Sequence, residues 1–209
     1  MSDNLPAIFD SRPKKTPIRG AVIGFDADKK WFNRDGDEWK PGDTYLPVDT
    51  FDCVQCWGKG ELLDTIMPTP GEDLPDIAEL NKQIPKEEWP EGFDGQPREP
   101  WVHNRVVHLL RVRDASIHTY INSTIGARIA VDRLREKIDA MQMLRGRRVI
   151  PLVKLTDREM KTRFGKKRRP EFEITDWRVI GGEDGGPKQI GVALKDTPAG
   201  EFLNDAIPF

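Results

Sequence analysis

The sequence predicts a mainly β domain: a five-stranded, OB-like barrel with one helix between strands 3 and 4, and flexible N- and C-terminal extensions. Three observations predict it. A long strand-like stretch runs from Tyr45 to Met67. Period-2 alternation surrounds a tight turn between Val102 and Asn122. Helical spacing follows at once and is succeeded by two further strand-like segments. Strand, strand, strand, helix, strand, strand is the order of an OB-fold, which binds oligonucleotides on its strand 2–3 face and its 1–2 and 4–5 loops. An α+β domain with a small open sheet and a packed helix is the rival architecture.

Residues 1–20 read as a loose arm, with Pro6, Pro13 and Pro17 and the basic pair Lys14-Lys15. Ala21 to Phe25 suits a short strand, and residues 26–43 are charged and turn-rich, so 1–43 is expected as an N-terminal extension to a domain spanning 44–180. Val48, Phe51, Val54, Trp57, Leu62, Leu63 and Ile66 mark the first barrel strand, which Gly58 and Gly60 interrupt as a bend or bulge. Residues 68–100 form a Pro-, Gly- and acid-rich connection, long enough to suggest function or mobility. In the hairpin, Val102, Asn104, Val106, His108, Leu110 and Val112 share one face. The other carries His103, Arg105, Arg111 and Arg113, with Val107 and Leu109 between. Asp114-Ala115 turns the chain, and Ile117, Thr119 and Ile121 then oppose His118 and Tyr120, which are expected to face outward beside the arginines.

Ser123 or Thr124 caps the helix, and Ala130, Leu134, Ile138 and Met141 fall on one of its faces. Gly146 stops it. Val149 to Leu155 is the next strand, Asp157 to Arg169 a basic loop, and Phe172 to Ile180 the last strand. The Gly-rich run 181–187 opens a flexible tail that spans 181–209.

Composition narrows the function. Charged residues make up 33% and aromatics 8%, which suits a soluble chain with a buried core. No apolar run approaches membrane-spanning length, so no membrane partner is expected. No secretory signal stands at the N-terminus, and the only cysteines, Cys53 and Cys56, fit a reducing, cytoplasmic setting. A structural zinc site needs a second ligand pair that the sequence does not place nearby, so no metal and no cofactor is expected. The chain has no phosphate-binding Gly-Lys-Ser/Thr loop, no Gly-x-Ser-x-Gly elbow and no spaced carboxylate set, so it is expected not to be an enzyme.

Two constellations point to nucleic acid. The basic loop holds Arg158, Lys161, Arg163, Lys166, Lys167, Arg168 and Arg169, with Phe164 among them; five cations fall in the seven residues from Arg163 to Arg169, in a chain of net charge −2. Clustered Lys and Arg neutralise phosphates, and an interleaved ring offers a stacking surface. The second is the outward face of the central hairpin, with Arg105, Arg111, Arg113, His118 and Tyr120. Trp57 is a further candidate stacking ring.

The chain ends Asn204-Asp205-Ala206-Ile207-Pro208-Phe209, with an aromatic ring and a free carboxylate on one residue. Asp205, Ile207, Pro208 and Phe209 resemble the C-terminal interaction peptide of bacterial single-stranded-DNA-binding proteins, which ends in aspartates followed by Ile-Pro-Phe. Asn204 and Ala206 stand where that family has acids, which weakens the electrostatic half of the motif. Together with the strand order of 44–180 and the Gly/Pro linker, the chain resembles bacterial and phage single-stranded-DNA-binding proteins. The resemblance implies sequence-independent binding of single-stranded DNA in replication, recombination or repair. It also implies that the tip recruits a DNA-processing protein: a nuclease, helicase or recombination mediator. The segments 1–43 and 68–100 depart from the compact bacterial version, sit more easily with a phage relative, and leave homo-oligomerisation open. Two other readings stay open: an interaction or assembly module whose basic loop takes an acidic partner, and a carboxylate-dependent nuclease.

Overall fold

The computed structural model describes residues 16–26, 30–33, 39, 42–92, 95–145, 149–162 and 165–179. Its elements in chain order are β1 (Ala21–Asp26), β2 (Lys30–Asn33), β3 (Thr44–Gly58), β4 (Glu61–Ile66), α1 (Ile77–Lys82), β5 (Trp101–Arg111), β6 (Ile117–Asn122), α2 (Ile125–Arg145), β7 (Val149–Thr162) and β8 (Gly165–Val179). The architecture is mainly β, as expected, but has eight strands rather than five, and α2 lies between the sixth and seventh of them. The sheet runs β2-β1-β6-β5-β3-β7-β8, with β4 paired to β3 off that path. All pairs are antiparallel except β1 with β6.

The two ends of this path come together, so the sheet is a nearly closed barrel. Trp31 of β2 donates its indole N–H to the Thr156 carbonyl of β7 at 2.7 Å. Its ring packs on Phe172 of β8 and Tyr120 of β6, with centroids 5.7 Å and 5.3 Å away. Residues 21–33, assigned by the sequence to the N-terminal extension, thus supply two strands of the same sheet. Entry into β1 needs Gly20: its φ is +66°, and a Cβ there would lie 1.8 Å from the Ile117 carbonyl oxygen.

Local turn chemistry explains two differences from the expected elements. The bent first strand is a hairpin, β3–β4, because Lys59 and Gly60 both take positive φ, 49° and 83°. Two such residues form the tight turn that matches the twist of paired strands. The basic loop is not a loop either. β7 continues to Thr162 and β8 starts at Gly165, in register as Arg158↔Arg169, Glu159↔Arg168, Met160↔Lys167 and Lys161↔Lys166. Two of these rungs oppose like charges, and the diagonal ion pairs Lys166–Glu159 and Arg168–Asp157 offset them.

The barrel core gathers Ile23, Trp31, Tyr45, Val107, Leu109, Tyr120, Val153 and Phe172. α2 covers it with Ala127, Ala130, Val131 and Leu134, close to the face read from its spacing. Thr124 caps this helix, accepting from the Ala127 N–H at 3.3 Å. A second cluster, Val54, Cys56 and Trp101, lies under Leu63, Ile66 and four residues of the 68–100 connection, Leu74, Ile77, Leu80 and Ile84. That connection is fastened: Asn81 accepts from the Trp101 N–H at 2.9 Å and donates to its carbonyl at 3.1 Å. Cys53 and Cys56 are buried and free, and burial pushes their thiols up to about 12 and about 11. No helix among the described residues is long and apolar enough to cross a membrane.

Candidate nucleic-acid interface

The distal halves of β7 and β8 form a two-stranded arm. β7 and β5 both run antiparallel to β3 and share its Thr44–Tyr45 end as neighbour. The arm therefore leaves the barrel at the end that carries the β5–β6 turn. Its cations divide into two groups. Lys166 pairs with Glu159 at 3.1 Å, and Arg168 pairs with Asp157. Arg158, Lys161 and Lys167 are exposed and have no carboxylate within ion-pair distance among the described residues. The rungs place Arg158 and Lys167 on one face of this ribbon and Lys161 on the other, beside Lys166 and Arg168, so both faces carry cations.

Arg169 is a correction. It is 3% exposed, donates to Glu171 and to the Pro170 carbonyl, and its Cβ region abuts Gly126 at the start of α2. Its charge is spent inside the fold and cannot meet a phosphate. Arg163 and Phe164 lie outside the described residues, as do Asp205, Ile207, Pro208 and Phe209 of the tip.

The central hairpin also differs from expectation. Tyr120 is 0% exposed, in the barrel core against Trp31 and Phe172, and His118 is buried against Trp39 and Tyr45. Neither ring is free to stack on a base in this conformation. The face read as outward is the barrel interior, since Val107 and Leu109 on the same face carry the core. Burial drives the Tyr120 hydroxyl well above the ordinary phenol range, and its oxygen has no hydrogen-bond partner among the described residues. Burial holds His118 below its ordinary value, and Arg111 adds to the effect.

The three hairpin arginines are held to different degrees. Arg105 pairs with Asp52 and, at 3.2 Å, with Asp132 of α2. Arg111 forms a bidentate pair with Asp114 at 2.9 Å and 2.6 Å and lies over the Trp39 ring. Arg113 is 68% exposed, its one near carboxylate being Asp43 at 3.5 Å. It stands at the arm's end of the barrel. Trp57 is partly exposed at the opposite end, next to the β3–β4 turn.

Sequence reasoning missed a cleft of about 280 Å³ on the outer side of β3 and β5, whose lining includes Pro17, Arg19, Asp49, Phe51, Met67 and His108. These residues are scattered along the chain, and only the β3–β5 register brings Asp49 opposite His108. No spacing rule could have joined them.

No protein-family model matches the chain, and neither a curated protein nor a solved structure matches it.

Proposed function

We propose that this chain is a non-catalytic, cytoplasmic single-stranded-DNA-binding protein of replication, recombination or repair, built on an OB-like barrel. The observation that carries the reading is the β7–β8 arm with Arg158, Lys161 and Lys167, which have no ion-pair partner among the described residues, in a chain of net charge −2. Arg113 extends this basic end, and Lys166 and Arg168 add charges that can exchange carboxylates for phosphates. The strand connectivity supports the OB-like assignment. With β1, β2 and β4 set aside, five strands remain in the order β3, β5, β6, β7, β8, with α2 after the third. Their pairings, β3 with β5 and β7, β5 with β6, and β7 with β8, suit that topology. The Asp205, Ile207-Pro208-Phe209 tip recruits a nuclease, helicase or recombination mediator. Its deletion should abolish capture of such partners and leave strand binding intact.

A second reading has one observation in its favour. Tyr120 and His118, the expected stacking rings, are buried. A basic arm whose described residues carry no ring also suits an acidic protein partner.

Fluorescence anisotropy with a single-stranded oligonucleotide, its duplex and an RNA of the same sequence separates the two. Single-strand binding that falls steeply with salt, and that weakens when Arg158, Lys161 and Lys167 are changed together to Ala, is the expected result. Absence of binding to all three nucleic acids would leave the acidic-partner reading, and magnesium-dependent loss of the oligonucleotide would indicate a nuclease.

A further inference from the structure

The cleft beside β3 and β5 contains two hydrogen-bond acceptors without a donor among the described residues. His108 is 2% exposed, and its Nε2 lies 2.8 Å from the Pro17 carbonyl oxygen. A carbonyl only accepts, so Nε2 carries a proton, and in that tautomer Nδ1 is a lone pair. Nδ1 has no hydrogen-bond partner among the described residues, and the nearest carboxylate oxygen, Asp49 Oδ2, is 3.6 Å away. That gap is too long for a hydrogen bond. A buried acceptor left this way is costly and calls for an explanation.

The backbone arranges this confrontation. Pro47 pairs with Leu109, but a bulge at Val48 shifts the register, so Asp49 pairs with His108. Without the extra residue Val48 would stand there, and it is instead turned out to solvent. Bulges re-aim side chains in this way beside functional sites. Phe51 packs against His108 in a T-shaped contact, ring centroids 5.2 Å apart, and Pro17, Met67 and Pro68 add apolar lining beside the polar Thr16. Arg19 supplies an exposed guanidinium at the rim and disfavours a cationic occupant.

A fitting occupant has a flat apolar face, an N–H donor at one end and an anion at the other. We infer that this cleft holds one nucleobase of the bound strand and favours adenine, cytosine and guanine, whose exocyclic amine supplies two N–H donors, over thymine, whose single N3–H is flanked by two carbonyls that a carboxylate repels. The amine meets the Asp49 carboxylate and, with half-exposed Asp49 turned aside, His108 Nδ1. The base lies against Phe51, and Arg19 meets the adjoining phosphate. The inference rests on the single-strand reading above and adds a modest composition preference to it. The cleft's volume, about 280 Å³, is at the lower end for small-ligand pockets, roughly 300 Å³ and upward, and suits a single base with its sugar.

The test compares oligo-dC, oligo-dA and oligo-dT of equal length on the full chain, together with free dCMP and dTMP followed through the His108 imidazole signals by NMR. Oligo-dC and oligo-dA should bind about tenfold more tightly than oligo-dT, the effect of one charge-assisted hydrogen bond. Asp49→Asn should narrow that gap to less than about twofold. Arg19→Ala, an exposed change, should weaken dCMP several-fold should Asp49→Asn prove unstable. Equal binding of the three homopolymers, or a gap that survives Asp49→Asn, would overturn the inference and leave His108–Asp49 a structural pair only. If no oligonucleotide binds, the single-strand reading falls, and the free nucleotides decide the cleft. His108 signals that move with dCMP and not with dTMP sustain it, and signals that move with neither overturn it.

Discussion

The Trp31 indole N–H donates to the Thr156 carbonyl at 2.7 Å across the seam where β2 meets β7. Trp31 is also the ring on which Phe25, Tyr120 and Phe172 converge. One residue from a four-residue strand therefore closes the barrel and fills its centre. Trp31→Phe keeps most of the ring and loses the donor, leaving the Thr156 carbonyl short of a partner. It should cost about 1–3 kcal/mol, read as a lower urea midpoint at unchanged slope. An unchanged midpoint would show that the seam does not depend on this bond.

Tyr120 separates ring from hydroxyl. Its ring is wholly buried, so Tyr120→Ala should destabilise by about 3–5 kcal/mol. Its hydroxyl is buried without a partner among the described residues, so Tyr120→Phe should be neutral or stabilising. Paired urea melts decide it, and a strongly destabilised Tyr120→Phe would mean that the hydroxyl is bonded after all.

Two histidines predict an acid-sensitive fold. Burial lowers His103 and His118 from the ordinary 6.5, with Arg105 adding at His103 and Arg111 at His118, against opposing pulls from Asp52, Asp132, Asp114 and Asp43. The folded state therefore disfavours the charged ring, and the unfolded chain binds protons first. Stability should fall as pH drops through the ordinary value of 6.5 and level off only below the lowered folded values. Thermal melts should show that fall, and the double variant His103→Gln/His118→Gln should flatten it. A wild-type profile that is level or rising toward acid would contradict the assignment.

The two classes of arm cation should behave differently. Arg158→Ala, Lys161→Ala and Lys167→Ala should each reduce the salt slope of single-strand binding by roughly 0.7 and alter stability by less than about 0.5 kcal/mol. Arg168→Ala should cost stability as well, because it strands Asp157, whose side chain is mostly buried. Salt titrations and melts on the same variants check both halves. Equal behaviour of Arg158 and Arg168 would mean that their surroundings do not matter.

Much of the fold was readable as local pattern. The alternation of Val102 to Asn122, the turn at Asp114-Ala115, the Thr124 cap and the α2 spacing are all short-range consequences of side-chain chemistry, and they stand where the sequence puts them. The cationic run, read as a loop between the last two strands, instead forms their paired distal halves, because the ladder continues to Thr162 and Gly165. Tertiary structure decided everything that depends on which face is covered. Alternation yields two faces and not the identity of the inner one, and β5 hides both: Val106, Val107, His108 and Leu109 are buried in succession. Tyr120 and His118 therefore went to the wrong side. The β3–β4 reversal depended on Lys59 adopting a conformation that lysine seldom takes, and the place of β1 and β2 in the sheet depended on the long-range pairing of β1 with β6. Which charges remain available was decided the same way. Arg158 and Arg169 face each other across one ladder rung, yet α2 and Glu171 close over the second and leave the first in water. A sequence states which charges exist; only the packing of elements distant in the chain determines which of them stay in solvent.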